Sequence, residues 1–301
     1  MTKYTQIISD LLNKLDGAYA PNTLRSYYVD AIAFVDWCHE QNIEAFPMTS
    51  ERLSGYIEFM KITLQYSTIR RRISSLRRVN ALLSYKDKTQ TEEVYLAIRR
   101  LKREKLSEQT QAVGINQDLL IKMIDAQPET LAGIRNRALL SLGYDFLARR
   151  SELVGLKTTD IQFTNDGALK GTIRKSKTDQ YGHGRLVFGS ERSVKLVRKW
   201  LRQKPKEIQP IFCAINHGRC LDRPICDRNV NDIIKRGVIK VKGCERPSDI
   251  DVSGHSLRVG AAQDLLMRGY DLAAIMRAGG WSNPITVSRY LRFSQHNIWK
   301  S

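Results

Sequence analysis

Residues 67–84 read STIRRRISSLRRVNALLS, and at a period of 3.6 residues Ile69, Ile73, Leu76 and Leu83 fall on one stripe. An α-helix turns that stripe toward a core and leaves Arg70, Arg71, Arg77 and Arg78 on its flank and back. Neighbouring stretches ask for the same. NTLRSYYVDAIAFVDWCHEQ carries apolar residues at helical spacing after a candidate cap at Asn22. TSERLSGYIEFMKITL opens at Thr49, and TEEVYLAIRRLKREKL closes with Lys102, Arg103 and Lys105 in its last turn. Packed helices are therefore what the first third of the chain predicts.

The polar stretch SEQTQAVGIN, residues 107–116, has no apolar period and reads as a linker. A chain of 301 residues exceeds what one core usually organises. The expected division is a helical domain over 1–108, a connection over 109–115 and a second domain over 116–301. The second domain begins with helical patterns in QDLLIKMIDA and ETLAGIRNRALLSLGYDFL. The texture then changes in GALKGTIRKSKTDQYGHGRLVFG, whose β-branched residues and DQYGHG turn predict a β-hairpin. Helices resume in ERSVKLVRKWLRQ, in DRNVNDIIKRGV and from residue 255 onward. The expected class is mainly α: a helical N-terminal domain and a mixed α+β C-terminal domain with a small antiparallel sheet.

Charge narrows the partner. Residues 61–105 hold 13 Lys and Arg against 4 Asp and Glu, a net +9 out of a formal +18 for the whole chain. Arginines opposite a core stripe in a small helical domain suit the phosphates of DNA. No apolar run approaches the roughly 20 residues that span a bilayer, and MTKYTQIISDLLNKLDG lacks a signal-peptide layout. A soluble, cytoplasmic protein with no membrane partner is expected. Five cysteines, an odd and sparse set, suit reduced thiols. CAINHGRCLDRPIC has no CxxC pair, so no metal site is expected there.

Four stretches of the second domain carry groups that can act on an anion. In ARRSELVGL, Arg149 and Arg150 precede Ser151, a candidate N-cap, with Glu152 in the first turn. Lys177 stands on the turn of the hairpin, in RKSKTDQYG. In SGHSLRVGAA, His255 and Arg258 stand three apart, which puts both on one helical face before the small residues Gly260, Ala261 and Ala262. In AGGWSNPITVSRYLR, Asn283 caps and Pro284 fits the first helical position of a helix carrying Tyr290.

Taken in order, ARRSEL, the Lys of SKT, SGHSLRVGAA and IMRAGGWSNPITVSRYLR resemble the motifs of the phage-integrase-like tyrosine recombinase family, and within it the Cre-like members. The resemblance is strongest over residues 253–292 and extends at lower strength from about 20 to 300. It implies a C-shaped clamp around duplex DNA, no cofactor, and a site-specific recombinase that forms a 3′-phosphotyrosine and passes through a Holliday junction. It implies inverted-repeat target sites, a homotetramer on two sites, and a monomer or weak dimer when free. Residue by residue, Arg149 resembles the first catalytic arginine, three ahead of Glu152, with Arg150 as its competitor. Lys177 resembles the hairpin lysine that protonates the leaving 5′-oxygen. His255 and Arg258 match the His-x-x-Arg pair, Trp281 stands where many members have histidine, Tyr290 matches the nucleophile, and Glu152 supports a neighbour.

DNA contacts are expected from Arg70, Arg71, Arg77, Arg78, Arg103 and Lys105, and from Arg228 in the major groove. Ile298 and Trp299, in the tail LRFSQHNIWKS, are expected to dock on a neighbouring protomer. The rival reading is a catalytically silent DNA-binding accessory or repressor protein. A phage-type integrase that needs accessory bending proteins is a further alternative. The absence of an obvious arm-binding domain ahead of residue 20 favours the simpler type.

Overall fold

Helical periodicity became helix throughout the first third, with shifted boundaries. The computed structural model describes residues 3–105, 113–174, 184–244 and 251–291. By contacts the chain divides into two units, Met1–Thr110 and Gln111–Ser301. The first unit holds α1 (Lys3–Asn13), α2 (Pro21–Glu40), α3 (Ser50–Lys61), α4 (Tyr66–Leu82) and α5 (Glu92–Lys105). Asn22 is not a cap. Pro21 occupies the first turn after Ala20, and its fixed φ sets the helix start without a side-chain bond. Thr49 does cap, accepting from the Arg52 backbone N–H at 3.3 Å.

Helix α4 packs on α2, and α5 on α3. Ile69, Ile73 and Leu76 face the core as their spacing predicts, beside Phe34, Leu53 and Tyr56. Leu83, just past the end of α4, is partly buried against the same core. The arginine face is less free than its charge suggests. Arg71 pairs with Asp30, a fully buried acid of α2 that also accepts from Ser75 Oγ at 2.7 Å. Arg77 meets Asp87 at 3.0 Å, and Arg78 lies over the Tyr19 ring at 5.4 Å. Arg70 and Arg103 point outward and are exposed.

In the second unit, Asn116 caps α6 (Gln117–Asp125), and Thr130 caps α7 (Leu131–Asp145). Next come the short α8 (Arg150–Gly155) and a 3-10 turn, Thr158–Asp160. The predicted hairpin is β2 (Leu169–Ile173) against β3 (Arg185–Gly189), antiparallel, with β1 (Ile161–Phe163) added at the edge. Gly171 sits in β2 because a Cβ there would stand 2.7 Å from the Phe146 ring. Lys177, on the connection between β2 and β3, lies outside the described residues.

Helix α9 (Glu191–Gln203) buries Trp200, whose indole N–H donates to the Ile211 carbonyl at 2.7 Å. The cysteine-bearing stretch, not anticipated as sheet, folds into β4 (Cys213–Asn216) and β5 (Arg219–Pro224). Its two-residue loop, His217 and Gly218, has φ of 45° and 74°, the left-handed pair that a tight hairpin requires. Among the described residues no group of three His, Cys, Asp or Glu side chains could hold a metal, and no helix is long and apolar enough to cross a membrane. The unit ends with α10 (Asp227–Lys242), α11 (Ser256–Met267), α12 (Leu272–Gly279) and α13 (Pro284–Leu291).

The Asp30 cluster yields a stability test. Asp30→Ala removes a fully buried carboxylate from Ser75, the half-exposed Arg71 and the partly buried Arg72, and because solvent reaches Arg71 the expected cost is about 1.5 kcal/mol, below that of a wholly buried pair. Urea unfolding should show the loss in the transition of the first unit. A change under about 0.5 kcal/mol, the scale of a surface substitution, would show that solvent screens the pair fully.

Candidate active site

Six of the singled-out residues, Arg149, Glu152, His255, Arg258, Trp281 and Tyr290, meet in the second unit. The strand-like segment entering it donates from Ile115 N–H to the Ser256 carbonyl at 2.9 Å, so it lies along the first turn of α11. Gly260 permits that approach, since a Cβ would stand 1.8 Å from the Ile115 carbonyl oxygen. The small residues after His255 and Arg258 therefore make room for backbone. His255 is the N-cap residue of α11, and Arg258, one turn on, is fully buried.

Helix α13 starts as its sequence predicts, with Asn283 Oδ1 accepting from Ile285 N–H at 2.9 Å. Gln263 of α11 fastens it by donating to the Tyr290 carbonyl at 2.9 Å. The Tyr290 hydroxyl then lies 2.6 Å from His255 Nε2, and the two rings meet edge to face. Trp281 walls the pair, 5.9 Å from the Tyr290 ring, and the Arg258 guanidinium stacks on the indole at 3.8 Å. Gly279 gives the Trp281 ring its seat, where a Cβ would collide at 1.9 Å.

Arg258 donates from Nη1 to the Leu147 carbonyl, while its buried Nε and Nη2 have no partner among the described residues. Leu147 holds φ at 45°, an uncommon conformation for leucine, which closes α7 and aims that carbonyl inward. Ser151 is not the cap of α8. The helix begins at Arg150 and Glu152 caps it, its Oε2 accepting from Arg149 N–H at 3.0 Å. A carboxylate reaching back satisfies that donor better than a hydroxyl could, and the helix dipole favours it. Glu152 Oε1 also takes Arg149 Nη1 at 2.5 Å. Arg149 is partly buried, whereas Arg150 is exposed with its side chain across Gly254.

Electrostatics follow from burying cations together. Burial, then the charges of Arg258, Arg149 and Arg150, pull His255 down to about 4, so its imidazole is neutral near pH 7. Burial and then Arg149 lower Arg258 to about 9, still charged at neutral pH. Burial raises Tyr290 against the opposing pull of Arg258 and Arg149. Burial pushes Glu152 up, but the bonds from Arg149 and the charge of Arg185 outweigh it and hold the carboxyl below its ordinary value. A neutral imidazole on a phenol, beside unpartnered guanidinium donors, suits attack by oxygen on a bound anion.

The residue that sequence reasoning missed is Arg185, the other cation on Glu152, at 3.1 Å. It stands in GHGRLVFG, where no spacing or cap marks it. Arg228 is exposed in the first turn of α10, away from any described bond or ion pair.

A family model described as the phage integrase family matches residues 114–296. The chain is 28% identical over 298 residues to an integrase/recombinase XerD homolog of Selenomonas ruminantium, covering 95% of this chain and 85% of that protein. It is 24% identical over 292 residues to the Cre recombinase of Escherichia phage P1, covering 91% and 85% respectively. Among solved structures, the XerH site-specific recombinase bound to palindromic difH substrate superposes with a TM-score of 0.72 at 16% identity, over 99% of this chain and 85% of that one. With the family model spanning more than half of its length, this chain belongs to the phage integrase family, the tyrosine recombinases.

Proposed function

We propose that this chain is a site-specific DNA recombinase that cuts and rejoins strands through Tyr290. The observation that carries the reading is the 2.6 Å contact between Tyr290 Oη and neutral His255 Nε2, beside the unpartnered donors of Arg258. A silent DNA-binding protein would have no use for that pair. The phenolic oxygen attacks phosphorus and its proton passes to His255 Nε2. The bond to the 5′-oxygen breaks, and Lys177 gives that oxygen a proton. A 3′-phosphotyrosine and a 5′-hydroxyl result. Arg149 and Arg258 hold the non-bridging oxygens as negative charge builds, and Trp281 offers an indole N–H while excluding water. Rejoining is the reverse attack by an incoming 5′-hydroxyl, so the energy of the phosphodiester is kept in the phosphotyrosine bond.

The assignment of Arg149 over Arg150 rests on its ion pair with Glu152 and on its charge acting at Tyr290 and Arg258. The DNA partner is supported by relatives named as recombinases and by the structural neighbour named as bound to a palindromic substrate. A palindromic substrate suits two protomers on inverted repeats, and a homotetramer would bring two such sites together. The helical domain, 1–108, contributes backbone contacts from Arg70, Arg71, Arg77, Arg78, Arg103 and Lys105, and the domain over 116–301 contributes Arg228. The tail carrying Ile298 and Trp299, proposed to link protomers, lies outside the described residues.

Three measurements test this reading. Tyr290→Phe removes one oxygen and should abolish covalent attachment to nicked suicide DNA while single-site binding stays within about twofold of the parent, far less than a missing anchor would cost. A covalent adduct formed by the Phe variant would overturn the assignment. Lys177→Ala should slow cleavage of ordinary DNA about a hundredfold or more, the scale of a lost general acid. A 5′-bridging phosphorothiolate, whose sulfur leaves without a proton, should restore the rate. Equal defects on both substrates would remove Lys177 from that role. Finally, log affinity should fall linearly with log salt by about 0.9 per phosphate neutralised, and replacing Arg70 and Arg103 by Ala should make the slope shallower by about 2. An unchanged slope would put both arginines on a solvated face.

A further inference from the structure

Arg185 opens β3, the strand that follows the Lys177 segment, yet its side chain runs inward and is only 14% exposed. Its fork reaches several chain segments. Nη1 donates to the Phe146 carbonyl at 3.0 Å and to the Ala278 carbonyl at 2.6 Å. Nη2 donates to Glu152 Oε2 at 3.1 Å and, more weakly, to the Leu147 carbonyl at 3.4 Å. Phe146 and Leu147 terminate α7, and Ala278 lies in the last turn of α12, so the cation sits at the negative ends of two helices. Gly280, at φ 64°, turns the chain away from α12 against the Arg185 stem, and a Cβ there would stand 2.6 Å from Arg185 Cδ.

Each contact leads to a different part of the site. Glu152 holds Arg149. The Leu147 carbonyl is shared with Arg258. The turn after Ala278 leads into Trp281 and then α13 with Tyr290. No other side chain among the described residues bonds to all of these segments. Lysine could not replace this arrangement, because a single ammonium cannot present a planar fork to acceptors lying in several directions.

We infer that Arg185 is a positioning residue for strand cleavage, joining Glu152, the Leu147 turn and the end of α12 so that the phosphate-binding arginines and the Tyr290 helix keep one fixed relation. This rests on Tyr290 being the nucleophile. Arg185 spends both terminal nitrogens on protein acceptors, leaving only its buried Nε without a partner among the described residues, and acts through Arg149, Arg258 and α13. A misplacement of about 1 Å at a reacting centre costs about a hundredfold in rate.

The test compares the full chain with Arg185→Lys and Arg185→Gln, using Tyr290→Phe and the parent as controls on the same nicked suicide DNA. The parent forming an adduct and Tyr290→Phe forming none establishes the nucleophile separately; a parent that forms none sinks the underlying reading whatever Arg185 does. Adduct formation is timed at saturating DNA, well below each variant's melting temperature. The inference expects single-site affinity within about twofold, a cleavage rate constant lowered about a hundredfold in both variants, and a His255 titration midpoint, followed by NMR, moved up from about 4 as its burial and the packing of Arg258 and Arg149 around it loosen. A merely structural role would lower the melting temperature and leave the rate constant within threefold, which would overturn the inference. So would a defect confined to affinity, since Arg185 would then be a DNA contact. If Arg185→Lys does not fold, Arg185→Gln, close in length and uncharged, decides by the same readings. If neither folds, a parent-like His255 titration in Gly280→Ala, which crowds the Arg185 stem, would overturn the inference, and a raised midpoint would uphold it.

Discussion

Three guanidinium groups converge on the site, and one carboxylate, Glu152, holds two of them. Arg258 has no ion pair among the described residues; it has a backbone carbonyl and the face of an indole. Such a cluster is electrostatically incomplete. Burial, and then the cluster's surplus of positive charge, depresses His255 and Arg258, and N–H donors of Arg258 are without partners among the described residues. Structure around it serves to hold like charges together: the left-handed turn at Leu147, the capping carboxylate of α8, and glycines at 260, 279 and 280 that let backbone and rings close in. In the proposed function, a phosphate diester would supply the charge and the acceptors that this arrangement lacks.

Burial lets the Tyr290 phenol rest unionised against that surplus. Tyr290 keeps its proton because burial outweighs the pull of the arginines, while burial and then the arginine charges keep His255 neutral. In the proposed reaction an arriving phosphate would offset the cations and make an imidazolium more tolerable. Burial and one set of charges thus tune both His255 and Tyr290.

Much of this was legible in the sequence because it is local. The shared face of His255 and Arg258 and the Asn283–Pro284 helix start follow from rules that span a few residues, whereas the meeting of His255 with Tyr290, 35 residues on, was implied only by the family resemblance. Ser151 was misread because the capping rule ranks hydroxyls and amides first, whereas a glutamate three residues into the helix can satisfy the same donor. Asn22 was misread because Pro21 fixes the helix start by its ring. Arg185 was invisible for a different reason: its partners lie 33 to 93 residues away, and nothing local marks an arginine that will be buried. The cysteine stretch was weighed for metal chemistry when its informative residues were His217 and Gly218, which turn a hairpin. In the helical domain, charge located the basic face but could not tell Arg71, bound to a buried aspartate, from Arg70, which is exposed.

The seam between Ile115 and Gly260 bears on how the protein can be cut. Helical periodicity resumes at Asn116, which makes that residue the obvious place to begin an isolated catalytic fragment. Yet Val113 N–H donates to the Asp251 carbonyl and Ile115 N–H to that of Ser256, and the fully buried Ile115 lies on the glycine face of α11. A fragment starting at Asn116 would strip a backbone wall from the helix that presents His255 and Arg258, opening a groove at Gly260 that no side chain on α11 can fill. A boundary placed before Val113 keeps the wall, so a few residues that look like linker belong, for anyone trimming or grafting this module, to the catalytic half.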